Sequence, residues 1–252
     1  MSEWIHELLA DPDSGQPLFR RGDHLVDSAG RRYPGFEQGV LSLMPRQVPF
    51  QHRLWRWIYD RAAFVYDTGV RLTWSRAFGG APIRRESYLQ DLSTKPGDVV
   101  LETACGTAEN LRSLPLGRRY VGLDISLNML LQGRRKLVDT GHDFELIQGD
   151  GAHLPFQNDV FDLVFHMGGL QFIREPNQAI AEMHRAATPG GAVWIIDEKA
   201  SLSKTLARSA IQHTHATLMN ALKNLAPAGS QDIQTRNLSG GELYCLSFIK
   251  NA

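Results

Sequence analysis

Val99-Val100-Leu101-Glu102-Thr103-Ala104-Cys105-Gly106-Thr107-Ala108-Glu109-Asn110 is an apolar run that ends on an acid and breaks at once into small residues. Val99, Val100 and Leu101 lack the polar alternation of a half-exposed strand, so the run predicts a central parallel strand buried on both faces. Ala104, Gly106 and Ala108 leave backbone room for a bulky ligand at the strand's carboxyl end. The helix predicted to start near Ala108 would aim its free N–H groups at that ligand.

Outward from this stretch the pattern alternates regularly. A short helix to Leu114 leads to a second strand over Tyr120–Asp124, and Ser126 is a good N-cap for the helix that follows. Phe144–Gln148 and Phe161–Phe165 read as strands three and four. Pro176 suits the first turn of the next helix, which the pattern stops at Thr188-Pro189-Gly190-Gly191, before a fifth strand over Val193–Ile196. Such alternation predicts a parallel sheet with right-handed crossovers. A long helix should follow, with Leu202, Leu206, Ala210, Thr214, Leu218, Leu222 and Leu225 in one stripe and His213 and His215 on its polar face. Two last strands, Asp232–Leu238 and Glu242–Ile249, pair through Ser239-Gly240-Gly241 as an antiparallel hairpin.

These residues carry a resemblance. E-T-A-C-G-T-A resembles motif I of the class I methyltransferases that use S-adenosylmethionine, and Y-V-G-L-D-I-S puts Asp124 at the end of strand two, where an acid can take ribose hydroxyls. G-D-G-A-H-L-P-F, from Gly149 to Phe156, resembles the family's adenine-edge segment, and H-R-A-A-T-P-G-G-A-V-W-I-I-D its entry to strand five. A nicotinamide enzyme would share the strand, the small-residue loop and the second acid, but not the L-P-F and P-G-G elements. The resemblance implies an α/β, Rossmann-like, seven-stranded and mostly parallel sheet with a terminal antiparallel hairpin, a small N-terminal β-rich appendage and a helical lid.

It also implies site roles. S-adenosylmethionine is the expected cofactor and S-adenosylhomocysteine its product. Glu102 would serve the methionine end, Asp124 the ribose, Asp150 the adenine amino group and the Gly151 N–H a ring nitrogen. Tyr66, Ala104, Gly106, Asn110, Ile125, Met129 and His166 are carried over as further cofactor contacts. His166, in F-H-M-G-G-L-Q-F at the end of strand four, is the candidate catalytic base, although a histidine ending a strand is as often a hydrogen-bonded filler. Gln171 and His153 are weaker candidates. Ala104 and Ala108 stand where the family favours glycine, and the Ala108 methyl predicts a tighter loop and reduced affinity.

Composition sets the bounds. With 252 residues, 42% of them hydrophobic, the chain can fill the core of one α/β domain with a small appendage. Lysine plus arginine balance aspartate plus glutamate at 27 each, so no global field favours nucleic acid or an anionic membrane. Cys105 and Cys245 form neither a disulfide framework nor a zinc pattern, and no metal is expected. No stretch approaches the ~18 apolar residues of a membrane helix, which predicts a cytoplasmic protein. A homodimer is compatible with this composition.

The domain expectation is an appendage over residues 1–45, a helical lid or linker over 46–97 and the ligand-binding domain over 98–252. Residues 1–45 resemble the Trm112-like zinc-ribbon segment, with Asp11 and Ser14 where the first cysteine pair would stand and no cysteine in Asp27–Gly30, so bound zinc is not expected. The lid region carries F-V-Y-D, similar to the family's tyrosine-aspartate pair. Its arginines, Arg53 to Arg85, with Trp55, Trp57 and Trp74, read first as a solvated helix face and second as an anionic-substrate or nucleic-acid surface. Taken together, the expected function is methyl transfer to a small acceptor, aromatic or quinone-like. The alternatives are methylation of a ribosomal RNA base, an inactive binding protein on the same fold, and a cofactor-dependent enzyme that methylates nothing.

Overall fold

The run Val99–Thr103 is a strand buried along its whole length, because helices cover both of its faces. Val99 and Leu101 share one buried cluster with Ala179, Ile180 and Met183, whereas Val100 belongs to a second with Leu111, Leu130 and Leu137. The period-two alternation of a strand therefore sends successive side chains into two different apolar layers.

The computed structural model describes residues 2–33, 38–46, 89–198, 215–238 and 243–252. A small antiparallel sheet comes first, made of β1 (Phe19–Arg21), β2 (His24–Val26) and β3 (Arg32–Tyr33). Then follow β4 (Leu41–Ser42), β5 (Val99–Thr103), α1 (Glu109–Arg112), β6 (Arg119–Asp124), α2 (Leu127–Leu137) and β7 (Asp143–Gln148). β8 (Phe161–Met167), α3 (Pro176–Ala186), β9 (Ala187–Glu198), α4 (His215–Lys223), β10 (Ser230–Leu238) and β11 (Leu243–Lys250) complete the described chain.

The main sheet runs β10-β11-β9-β8-β5-β6-β7-β4. Pairings from β4 to β9 are parallel, and β11 enters antiparallel between β9 and β10. The expected mostly parallel sheet with its terminal antiparallel pair is thus present, with one more strand than expected. The eighth comes from the N-terminal segment: β4 pairs with β7, Leu41 opposite Ile147 and Ser42 opposite Gln148. Ile5, Leu9, Leu18, Leu25, Tyr33, Leu41 and Leu43 belong to the same buried cluster as Leu101, Ile147 and Phe156. Residues that read as an appendage are part of the common core.

Local signals hold where they were strongest. Ser126 caps α2, its hydroxyl accepting from the Met129 N–H at 3.3 Å, and Pro176 opens α3. Thr188-Pro189-Gly190-Gly191 differs from expectation. α3 ends at Ala186 and β9 begins directly at Ala187, with the glycines inside the strand as a bulge: Phe161 faces Ala187, but Leu163 faces Ala192. A Cβ on Gly191 would lie 2.8 Å from the Thr188 oxygen and 3.1 Å from that of Phe161, so the bulge requires glycine there.

In the N-terminal segment Asp11 and Asp27 close their own turns. Asp11 accepts from the Asp13 and Ser14 N–H groups at 2.8 and 2.7 Å, and Asp27 from Arg31 N–H at 2.7 Å. The Tyr33 hydroxyl donates to Asp11, and Arg31 pairs with Asp13 at 2.7 Å. Of the helical stretch expected over Phe50–Leu92 all but residues 89–92 lies outside the described residues, as do the first part of the long helix before His215 and the Ser239-Gly240-Gly241 turn. Among the described residues no helix is long and apolar enough to cross a membrane.

Candidate functional site

The sheet order reverses beside β5, which pairs with β6 on one side and β8 on the other, so the loops after these strands flank a topological switch point. The loop after β5 alternates between covered and open positions. Cys105, Thr107 and Ala108 are buried, while Ala104 and Gly106 are partly exposed. Ala104, Gly106 and Ala108 all have positive φ, 54°, 55° and 57°. Among the described residues, a Cβ at Gly106 would meet nothing within 4 Å, so this glycine borders open space there.

The Ala108 methyl corrects an expectation. It is 1% exposed and lies 3.2 Å from where a Cβ on Gly133 of α2 would stand. The alanine packs against a helix that has made room for it, and its methyl does not narrow the open side of the loop.

Asp124 at the end of β6 fastens the loop. One carboxylate oxygen accepts from Gly106 N–H and the other from Ser126 N–H, both at 2.8 Å. The side chain is partly exposed at the carboxyl end of the strand. Glu102 is fully buried beneath the loop and accepts from the Asn110 amide of α1 at 2.6 Å. The Asn110 amide oxygen is buried and has no hydrogen-bond partner among the described residues, which suits it to receive a donor from a ligand. The Cys105 thiol is pushed well up by burial, then by the charges of Asp124 and Glu102. The same two charges make the loop favourable for a cation.

On the other side of Asp124, Ile125 is partly exposed and Met129 is buried in the first turn of α2. Asp150, 3% exposed, accepts from Ala152 N–H at 2.9 Å, and Gly151 is partly exposed beside it. His153 is exposed, its Nδ1 3.8 Å from Asp150. The structure thus brings Glu102, Ala104, Gly106, Asn110, Asp124, Ile125, Asp150 and Gly151 to the carboxyl ends of three adjacent strands. Tyr66 lies outside the described residues.

His166 is also there, but deep in the fold. It is 0% exposed, with Nδ1 3.0 Å from the Thr103 hydroxyl, and burial lowers its pKa to about 4. Its Nε2 lies 3.9 Å from Asp197, too far for a hydrogen bond, so this is a neutral imidazole beside a carboxylate and not an ion pair. The buried contacts fit the filler role and give no support to a proton-accepting one.

Reading by sequence passed over Asp197, which ends the I-I-D run of β9. It is 1% exposed and accepts from Leu170 N–H at 2.8 Å, tying down the loop that leaves β8. Its signal was available: an acid at the carboxyl end of a buried parallel strand, as at Glu102 and Asp124. Thr103 carried no such signal, since its partner His166 is distant in sequence.

This sheet order, with a ligand loop after its central strand, is the fold of the class I methyltransferases. A chain from a complex of the Haloferax volcanii Trm112 methyltransferase activator with a methyltransferase superposes with a TM-score of 0.57 at 19% identity, covering 77% of this chain and 98% of that one. Haemonchus contortus phosphoethanolamine N-methyltransferase 2 gives 0.58 at 17% identity over 82% and 61%. Residues 101–195 match the family model described as a methyltransferase domain. Demethylmenaquinone methyltransferase of Lysinibacillus sphaericus is 36% identical over 147 residues, 57% of this chain and 58% of the relative. The match therefore spans little more than half the length of that relative.

Proposed function

We propose that the protein binds S-adenosylmethionine at the ends of β5, β6 and β7 and catalyses methyl transfer to a small, quinone-like acceptor. The observation that carries this reading is the loop at Gly106, open on one side among the described residues, fastened to Asp124 on the other and lying over the buried Glu102. The name of the Lysinibacillus sphaericus relative supports the acceptor class.

When bound, the cofactor supplies an electrophilic methyl group on a sulfonium. The chain's own residues hold and align. Asp124 meets the ribose with its partly exposed carboxylate, Asn110 and Glu102 serve the polar methionine end, and Asp150 with the Gly151 N–H serves the adenine edge. Displacement at carbon needs nucleophile and methyl in line in a dry pocket, so most of the rate comes from positioning. With His166 buried and neutral, an acceptor whose hydroxyl or carbon acid ionises readily, as a quinol does, suits the site best.

The test has two parts. Titration with S-adenosylhomocysteine should show saturable binding and a raised melting temperature, by about 2.7 kcal/mol of added stability at one hundred times the dissociation constant. Incubation with labelled S-adenosylmethionine and a short-chain demethylated naphthoquinol should then give a methylated product. Absent binding at millimolar ligand would overturn the cofactor reading. Binding without transfer to any quinol or phenol would overturn the acceptor reading alone.

A further inference from the structure

The adenine-edge segment is stitched to the N-terminal residues at both of its ends. At the start, Gln148 makes two such bonds and a third to the loop after β6. Its amide oxygen accepts from the Ser42 hydroxyl at 2.9 Å, its amide nitrogen donates to the Ile125 carbonyl at 3.0 Å, and its backbone oxygen accepts from Leu43 N–H at 2.8 Å. At the finish, Ala10 N–H donates to the Pro155 carbonyl at 2.9 Å and Gln157 N–H to that of Leu8 at 2.8 Å. Leu9 bridges Phe156, and both are fully buried. The two stitched arms are joined to each other, since Arg46 N–H donates to the Asp13 carboxylate at 3.1 Å.

We propose that residues 2–33 and 38–46 are a built-in brace that sets the affinity of the ligand site, with Gln148 as the positioning residue that couples Ser42 to both ligand loops. The inference rests on the cofactor reading above. Gln148 touches the loop of Asp124 through Ile125 and leads directly into Gly149, whose N–H donates to the Asp124 carbonyl at 3.0 Å. Holding the 148–157 stretch at both ends restricts the conformations of Asp150 and Gly151 before the ligand arrives, which lowers the ordering cost of binding. The bland account is that β4 merely covers the edge of β7. The two accounts differ in what they predict: an edge cover changes stability and leaves affinity alone.

The experiment uses the full chain and S-adenosylhomocysteine. Ser42→Ala leaves the buried Gln148 oxygen without its donor, and its dissociation constant should rise about fivefold or more, with Ser42→Thr restoring it. Gln148→Leu, which loses both side-chain bonds, should show the same direction. Because coupling is reciprocal, ligand binding should slow hydrogen exchange at Ala10, Leu18 and Leu43 in the unaltered chain, a readout that needs no variant to fold. Wild-type affinity in both Ser42→Ala and Gln148→Leu, with or without a lower melting temperature, overturns the brace, as does unchanged exchange at these amides. A wild-type chain that binds no S-adenosylhomocysteine overturns the cofactor reading and the brace with it.

Discussion

Asp124 joins local structure to ligand chemistry. Its carboxylate holds Gly106 and Ser126 by their N–H groups, is partly exposed, and is the group proposed to take the ribose. Asp124→Ala should therefore weaken S-adenosylhomocysteine binding by about 1–3 kcal/mol in calorimetric titration, through lost charged hydrogen bonds and a loosened loop. Unchanged affinity would show that the ribose lies elsewhere. His166 differs, a residue whose type suggests chemistry and whose described surroundings bury it completely beside the Thr103 hydroxyl. Its pKa in the fold, about 4, lies below the ordinary 6.5, so the unfolded chain binds the proton more readily. The stability this contributes is complete above pH 6.5 and is lost as pH falls toward 4, on the order of 3 kcal/mol in all and about 2 kcal/mol by pH 5. Denaturant melts at pH 7 and pH 5 should differ by about 2 kcal/mol less in His166→Gln than in the wild type, and an equal difference would refute the buried neutral state.

At the scale of elements, α2 and the loop after β5 are shaped to each other. Gly133 costs helix propensity, yet a Cβ there would lie 3.1 Å from the Thr107 carbonyl carbon and 3.2 Å from the Ala108 methyl. Gly133→Ala gains about 1 kcal/mol of propensity and loses about 1–3 kcal/mol to overpacking against backbone, so a net loss of stability is expected in denaturant melts. Cofactor affinity should fall as well, because the displaced segment is the ligand loop. Stabilisation with intact binding would mean that the loop yields freely. A second element-level case is the loop leaving β8, which Asp197 anchors through Leu170 N–H. Asp197→Asn offers the N–H a weaker acceptor, and proteolysis or hydrogen exchange over residues 168–172 should quicken. Protection equal to that of the wild type would show that packing alone holds the loop.

Across the whole molecule, the N-terminal residues are the largest departure from the expected organisation. Composition and turn signals over residues 1–45 read as a small separate piece, because its strands are short and its turns frequent. Its apolar residues are too few for a core of their own, and Ile5, Leu9, Leu41 and Leu43 enter the main one. The stretch from Gln148 to Gln157 is thereby tied to N-terminal residues at both ends.

Read alone, the sequence determined the strand-loop-helix order, the acids that end β5 and β6, the caps at Ser126 and Pro176, and the resemblance to a methyltransferase. All of these are local signals, set by side-chain periodicity, turn chemistry and spacing within a few dozen residues. Only the tertiary structure decided that β4 joins β7, that the Ala108 methyl turns to Gly133, that His166 is enclosed, and that Asp197 and Gln148 anchor the loops. Each of those facts depends on burial and on partners brought together across long stretches of chain, and no pattern within a local stretch encodes which partner a side chain will meet.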